Sequence, residues 1–138
     1  PGFIQARTTK TDHTFYPDVS KCTALEIVCK SNVKYDGGYR FSFGDAQAPG
    51  GKFHASGYKA TLTNVPTGGD DFGSVTIPFT DFTDFWDDAT GDPIHTCQEN
   101  SLYCPDDMTL KNMQRLAIWG EGVAGQVSLE IQSIRAVG

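Results

Sequence analysis

Four cysteines pose the first chemical question. They fall as Cys22 and Cys29, then Cys97 and Cys104, each pair separated by six residues. Zinc ligands usually sit about two to four residues apart and include histidine, so this spacing does not suit a structural zinc. If residues 24–30 form a strand, Cys22 and Cys29 lie about 20 Å apart. A disulfide needs Cα atoms within about 7 Å, so those two should not pair with each other. Cys97-Gln-Glu-Asn-Ser-Leu-Tyr-Cys104 can close on itself, and a Cys97–Cys104 bridge is expected. Cys29 then shares a face with Leu25 and Ile27 and is buried as a small hydrophobe. Four reduced thiols in a reducing compartment are the alternative.

Other chemistry-bearing groups converge less. His13, His54 and His95 are scattered, and none lies at helical spacing or in a nucleophile elbow. Asp81, Asp84, Asp87, Asp88 and Asp92, with Asp70 and Asp71, offer hard oxygen ligands of the kind calcium takes. Their order is not that of a calcium loop, and a solvated acidic stretch is expected. The same carboxylates could serve glycoside hydrolysis, but nothing fixes their separation. Gly120-Glu-Gly-Val-Ala-Gly125 matches the dinucleotide pattern G-x-G-x-x-G. That pattern works only where a helix follows to receive the pyrophosphate, and here an alternating segment follows. A glycine-rich hairpin turn is expected. No catalytic residue, cofactor site or metal site is assigned.

The elements that must position these groups are short strands. Residues 25–30, 39–43, 59–65, 74–79, 114–119 and 127–137 alternate apolar and polar residues or are rich in β-branched and aromatic ones. Tyr39, Phe41 and Phe43 share one face, with Arg40 and Ser42 on the other. Pro78 marks an edge strand or a strand end, because proline cannot donate to the ladder. If Leu116 and Ile118 face the core, Trp119 projects from the opposite face. There it is either a stacking platform, a docking anchor, or an indole covered by a loop of its own domain. Thr80 to Met108 is the longest irregular stretch. Fifteen glycines and seven prolines punctuate the chain, and nowhere do apolar residues keep helical spacing for three turns. A single all-β domain over residues 1–138, a β-sandwich or jelly roll, is expected.

Composition narrows the partners. The chain has 138 residues, 38% of them hydrophobic and 20% charged, as in a folded protein rather than a disordered one. Its net charge of −6 disfavours nucleic acid and anionic lipid, both of which require a cationic surface. No stretch approaches the roughly 20 consecutive apolar residues of a membrane span. The chain opens Pro1-Gly2-Phe3, as a processed or partial sequence would, and contains no Asn-x-Ser/Thr site.

Several segments together resemble the complex I intermediate-associated protein 30 family. They are Cys22-Thr-Ala-Leu-Glu-Ile27, Gly38-Tyr-Arg-Phe-Ser-Phe43, Ser74-Val-Thr-Ile-Pro-Phe-Thr-Asp-Phe82, Met113-Gln-Arg-Leu-Ala-Ile-Trp-Gly120 and Gly125-Gln-Val-Ser-Leu-Glu-Ile-Gln-Ser-Ile-Arg-Ala136. The resemblance implies a galactose-binding-like jelly roll that is not itself an enzyme. It also implies an accessory or assembly subunit of a membrane electron-transfer complex, respiratory complex I or a photosystem. The family's opening D-x-x-x-G-G-x-S stretch is absent, so an opening strand is expected to be missing. Gln132 stands where relatives have an acidic group, at a place where related sugar-binding modules hold calcium.

The expected partners are therefore protein subunits of a larger membrane-bound complex, with no membrane span in this chain. Phe85, Trp86 and Tyr103 are the expected protein contacts. Carbohydrate is the alternative ligand, held on the concave sheet face by Gln5, Arg7, Arg40 and Trp119. The expected location is the thylakoid lumen or the mitochondrion, with the cell exterior as alternative.

Overall fold

The computed structural model describes residues 3–8, 16–46, 57–87 and 90–138. Pro1, Gly2, His13, His54 and Asp88 lie outside the described residues. Among the described residues the strands are β1 Phe3–Arg7, β2 Ala24–Ser31, β3 Tyr39–Phe43, β4 Tyr58–Thr61, β5 Gly73–Pro78, β6 Ala117–Glu121 and β7 Leu129–Val137. One short helix, α1 Asp107–Lys111, interrupts the long loop between β5 and β6. The strands form two antiparallel sheets, β1-β6-β3-β4 and β5-β2-β7, so the molecule is an all-β sandwich.

Period-two patterning explains the inner faces. Leu25, Ile27 and Cys29 of β2 and Val75 and Ile77 of β5 are buried, facing Phe41 and Phe43 of β3 and Tyr58 and Ala60 of β4. Phe43 packs against Phe82 at 5.0 Å, Tyr58 at 5.8 Å and Phe79 at 6.2 Å between ring centroids. Truncating such a ring to alanine typically costs about 3–5 kcal/mol. Pro78 closes β5, itself an edge strand, and hands the chain to a 3-10 turn at Phe79–Asp81. Cys29 is fully buried among these apolar side chains, where desolvation raises its thiol pKa.

Three expectations are corrected. The strand expected over residues 59–65 stops at Thr61, and Asn64 adopts a left-handed backbone at φ 59°. That expected from residue 114 begins at Ala117, because Arg115 sits at φ 55°, outside the strand region. Residues 120–125 do not make a hairpin. β6 and β7 belong to different sheets, so the glycines form an arch that carries the chain across the sandwich. Gly122, at φ 76°, begins the arch.

Both faces of β3 are buried, although alternation alone would leave one face wet. The cover is the segment after Phe82. Thr83 pairs with the outer edge of β4, with Lys59 N donating to Thr83 O at 2.9 Å and Thr83 N to Lys59 O at 3.1 Å. Further along, Trp86 packs against Arg40 and Lys59, and Gly91 O accepts from Arg40, on the outer face of the four-stranded sheet.

Candidate functional site

The outer face of the four-stranded sheet gathers the residues expected to bind a ligand. Gln5 lies directly opposite Trp119, and Trp119 opposite Arg40, so three of the four form one cross-sheet row. Arg7 is one pair further along, opposite Ala117. Lys59, Ser42 and Glu121 share this face and were not singled out in the sequence. A lysine or glutamate in a short strand gives no local sign that a distant loop will cover it.

The centre of this face is a closed ionic cluster. Glu121 Oε1 accepts from Lys59 Nζ at 2.5 Å and lies 3.7 Å from Arg40 Nε. Arg40 also donates to Gly91 O from Nε at 3.2 Å and Nη2 at 2.9 Å, and to Gly37 O. Two indoles wall the cluster. Lys59 Nζ sits 4.2 Å from the Trp119 ring centroid and 4.9 Å from that of Trp86, and Arg40 Cζ is 5.6 Å from Trp86. Each indole N–H is satisfied, Trp119 by Ser42 Oγ at 2.8 Å and Trp86 by Thr83 O at 3.0 Å. Buried charges persist only when paired and hydrogen-bonded, and this arrangement meets both conditions. A Cβ at Gly122 would meet Arg40 Nη2 at 2.8 Å, so that glycine makes room for the guanidinium. The middle glycine of the G-x-G-x-x-G pattern thus has a packing explanation.

Trp86, expected as a protein contact, is buried, and of the readings left open for Trp119 the covered indole is the one observed. Trp119 is 4% and Trp86 2% exposed. Neither presents an open stacking surface or a docking anchor: Trp119 packs against Phe3 and Lys59, and Trp86 against Lys59 and Arg40. Arg40 is buried as well. Gln5 and Arg7 remain exposed at the rim on β1, and Phe3 closes the row by packing 5.3 Å from Trp119.

Beside this cover the other expected contacts do come together. Phe85 and Tyr103 meet edge to face at 5.6 Å, and His95 stacks on Tyr103 at 5.2 Å while meeting Phe85 edge-on at 5.1 Å. All three rings are partly exposed. Trp86 turns the opposite way, into the ionic cluster. The Cys97–Cys104 disulfide is present, with Cα atoms 4.5 Å apart, and Cys22 and Cys29 are free. The bridge closes the turn holding Tyr103, while His95 Nδ1 lies 3.1 Å from Glu99 Oε2 inside the same segment. The hydrogen bond from His95 holds the Glu99 carboxyl below its usual range. Leu102 is 65% exposed next to Tyr103, an apolar side chain left in water on a braced turn.

The acidic residues do not assemble into a cation site: among the described residues no group of three or more potential metal ligands converges. Asp84 instead turns inward and is buried, with Oδ1 lacking a hydrogen-bond partner among the described residues. Burial raises its pKa, with the nearby Asp106 charge adding to the effect. Asp106 caps α1 by accepting from Thr109 N at 2.8 Å. Burial opposes its ionisation, but the hydrogen bonds from Thr109 and Tyr58 outweigh it and hold the carboxyl low. Tyr58 is pushed up to about 12 by burial and then by the Asp106 charge. No family model matches the chain, and no curated protein matches it.

Proposed function

We propose that the chain is a non-catalytic accessory module of the galactose-binding-like jelly-roll type. In this reading it binds and stabilises a larger membrane electron-transfer complex, respiratory complex I or a photosystem, as a peripheral subunit. The observation that carries the reading is the Phe85–His95–Tyr103 cluster, partly exposed and braced by the Cys97–Cys104 disulfide. Aromatic side chains fixed before binding lose little freedom on docking, which is the property a protein-contact anchor needs. The strand order supports the jelly-roll type, since the chain repeatedly changes sheets between β1 and β7. A disulfide favours an oxidising compartment, the thylakoid lumen or the cell exterior, over a reducing one.

The carbohydrate reading has less support, because the indole and guanidinium it requires are buried. Native gel electrophoresis of a membrane extract tests the proposal. The chain should migrate with a large complex, and Phe85→Ala together with Tyr103→Ala should release it while leaving its circular dichroism unchanged. Migration as a free small protein, or release by free oligosaccharide instead, would sink it.

A further inference from the structure

The three-stranded sheet ends on β7, a nine-residue strand whose outer edge has no strand partner among the described residues. Long apolar edges of this kind pair with other chains unless they are blunted. Two clefts flank it on the inner side. One of about 210 Å³ is lined by Ile4 and Ile118 with Val127 and Leu129, and one of about 240 Å³ by Ala6, Phe41 and Ile134. Ile131 and Ile134 lie opposite Cys29 and Ile27, whose side chains are fully buried, yet each is 37% exposed. The sandwich is open along this side.

The sequence of that edge is self-complementary. In antiparallel alignment about the point between Gln132 and Ser133, Glu130 faces Arg135, Ile131 faces Ile134, and Leu129 faces Ala136. Residues three apart normally lie on opposite faces of a strand. Here the register against β2 shifts, with Val28 opposite Ser133 and Cys29 opposite Ile131, leaving Gln132 as the extra residue of a bulge. The bulge sits at the centre of the self-complementary stretch. It brings Ile131 and Ile134 to the inner face, and Glu130 and Arg135 to the outer one. Each of these three facing pairs therefore matches in both chemistry and side.

We propose that two copies of this chain pair antiparallel along β7 in that register, joining their three-stranded sheets into one of six strands. Charge supports a second copy as the occupant. Within one protomer Lys30 Nζ lies 3.5 Å from Glu130, and Arg135 Nε donates to Glu26 at 2.6 Å, both across the β2–β7 pair. The dimer extends these pairs into an alternating row running Lys30, Glu130, then Arg135 and Glu26 of the second copy. Two-fold symmetry makes the same row twice, as an isologous interface requires. On the inner face each Ile131 gains the Ile134 of the other protomer.

The register gives a test specific to this pairing. Sedimentation equilibrium over a concentration series should reach twice the 15.0 kDa chain mass. Arg135→Glu should weaken the dimer by about tenfold or more, because both symmetric pairs become repulsive. The swapped double variant Glu130→Arg with Arg135→Glu should restore it. A thermal melt of each variant checks that the monomer still folds, since Arg135 also serves Glu26. Single variants Ile131→Cys and Ile134→Cys, oxidised as a mixture, should give a disulfide-linked dimer that neither gives alone. A monomer at every concentration, a dimer indifferent to these changes, or cross-linking without regard to register would overturn the proposal. So would protection of β7 by another segment of the same chain in hydrogen exchange of the monomer.

Discussion

The inward turn of Asp84 has a measurable consequence. Its carboxyl titrates above 3.8 in the folded protein because burial disfavours the charged form. A raised acid binds its proton more tightly folded than unfolded, so stability falls as pH rises from the unfolded value through the folded one. Asp106, held low, contributes in the opposite sense over the acid range, so the whole-protein profile mixes the two. Comparing Asp84→Asn with the parent isolates the first effect. The variant should be the more stable near neutral pH, and the difference should close as pH falls below 3.8. Urea unfolding at a series of pH values measures it. A difference that stays constant with pH would mean that no buried charge is being relieved. Sequence gave no warning of this, because Asp84 stands in a run of aspartates that each looked equally wet.

Strands were legible wherever alternation was strong and local. β3 and β5 announced themselves through Tyr39-Arg-Phe-Ser-Phe43 and the Val75 and Ile77 pair, and β2 through Leu25, Ile27 and Cys29. The cover over β3 was not legible, since it depends on a segment some forty residues later in the chain. For the same reason alternation could not choose between an open and a covered Trp119, and the indole is buried. β1 escaped notice because Phe3–Arg7 is short and exposed along its whole length. The Cys97–Cys104 bridge was legible because a small ring constrains geometry by itself. Cys97→Ser with Cys104→Ser should lower stability by about 2–3 kcal/mol in the chain-entropy account, read as a shifted urea midpoint. It should also loosen the stack of His95 on Tyr103, visible as faster amide exchange through residues 95–104. The arch at Gly120–Gly125 makes a second element-scale prediction. It ends in β7 rather than in a helix, so titration with a nicotinamide dinucleotide should leave the melting temperature unchanged. Saturable stabilisation would mean the arch binds the pyrophosphate after all.

At the scale of the whole molecule, charge and anchors should separate in kinetics. A net charge of −6 means that any cationic partner surface is drawn in at long range, and salt screens that attraction. The anchoring rings act only once in contact, so they govern how slowly the complex comes apart. Trp86→Ala and Trp119→Ala cannot test this cleanly, because both indoles wall the buried ionic cluster and their loss should destabilise the fold by roughly 3–5 kcal/mol. Tyr103→Ala is the better probe, since its ring is partly exposed on a turn the disulfide already closes. Raising salt from about 0.05 to 0.5 M should slow association several-fold and leave dissociation nearly unchanged, as expected when screening removes steering alone. Tyr103→Ala should instead accelerate dissociation by about tenfold to a hundredfold, the range of a lost aromatic anchor. Asp92→Asn, at the exposed rim, should mimic mild salt and change only association. Surface-immobilised complex with this chain in solution gives both rates. If Tyr103→Ala changed association alone, or if Asp92→Asn accelerated dissociation as much as Tyr103→Ala, the binding face would have to lie elsewhere than on the braced turn.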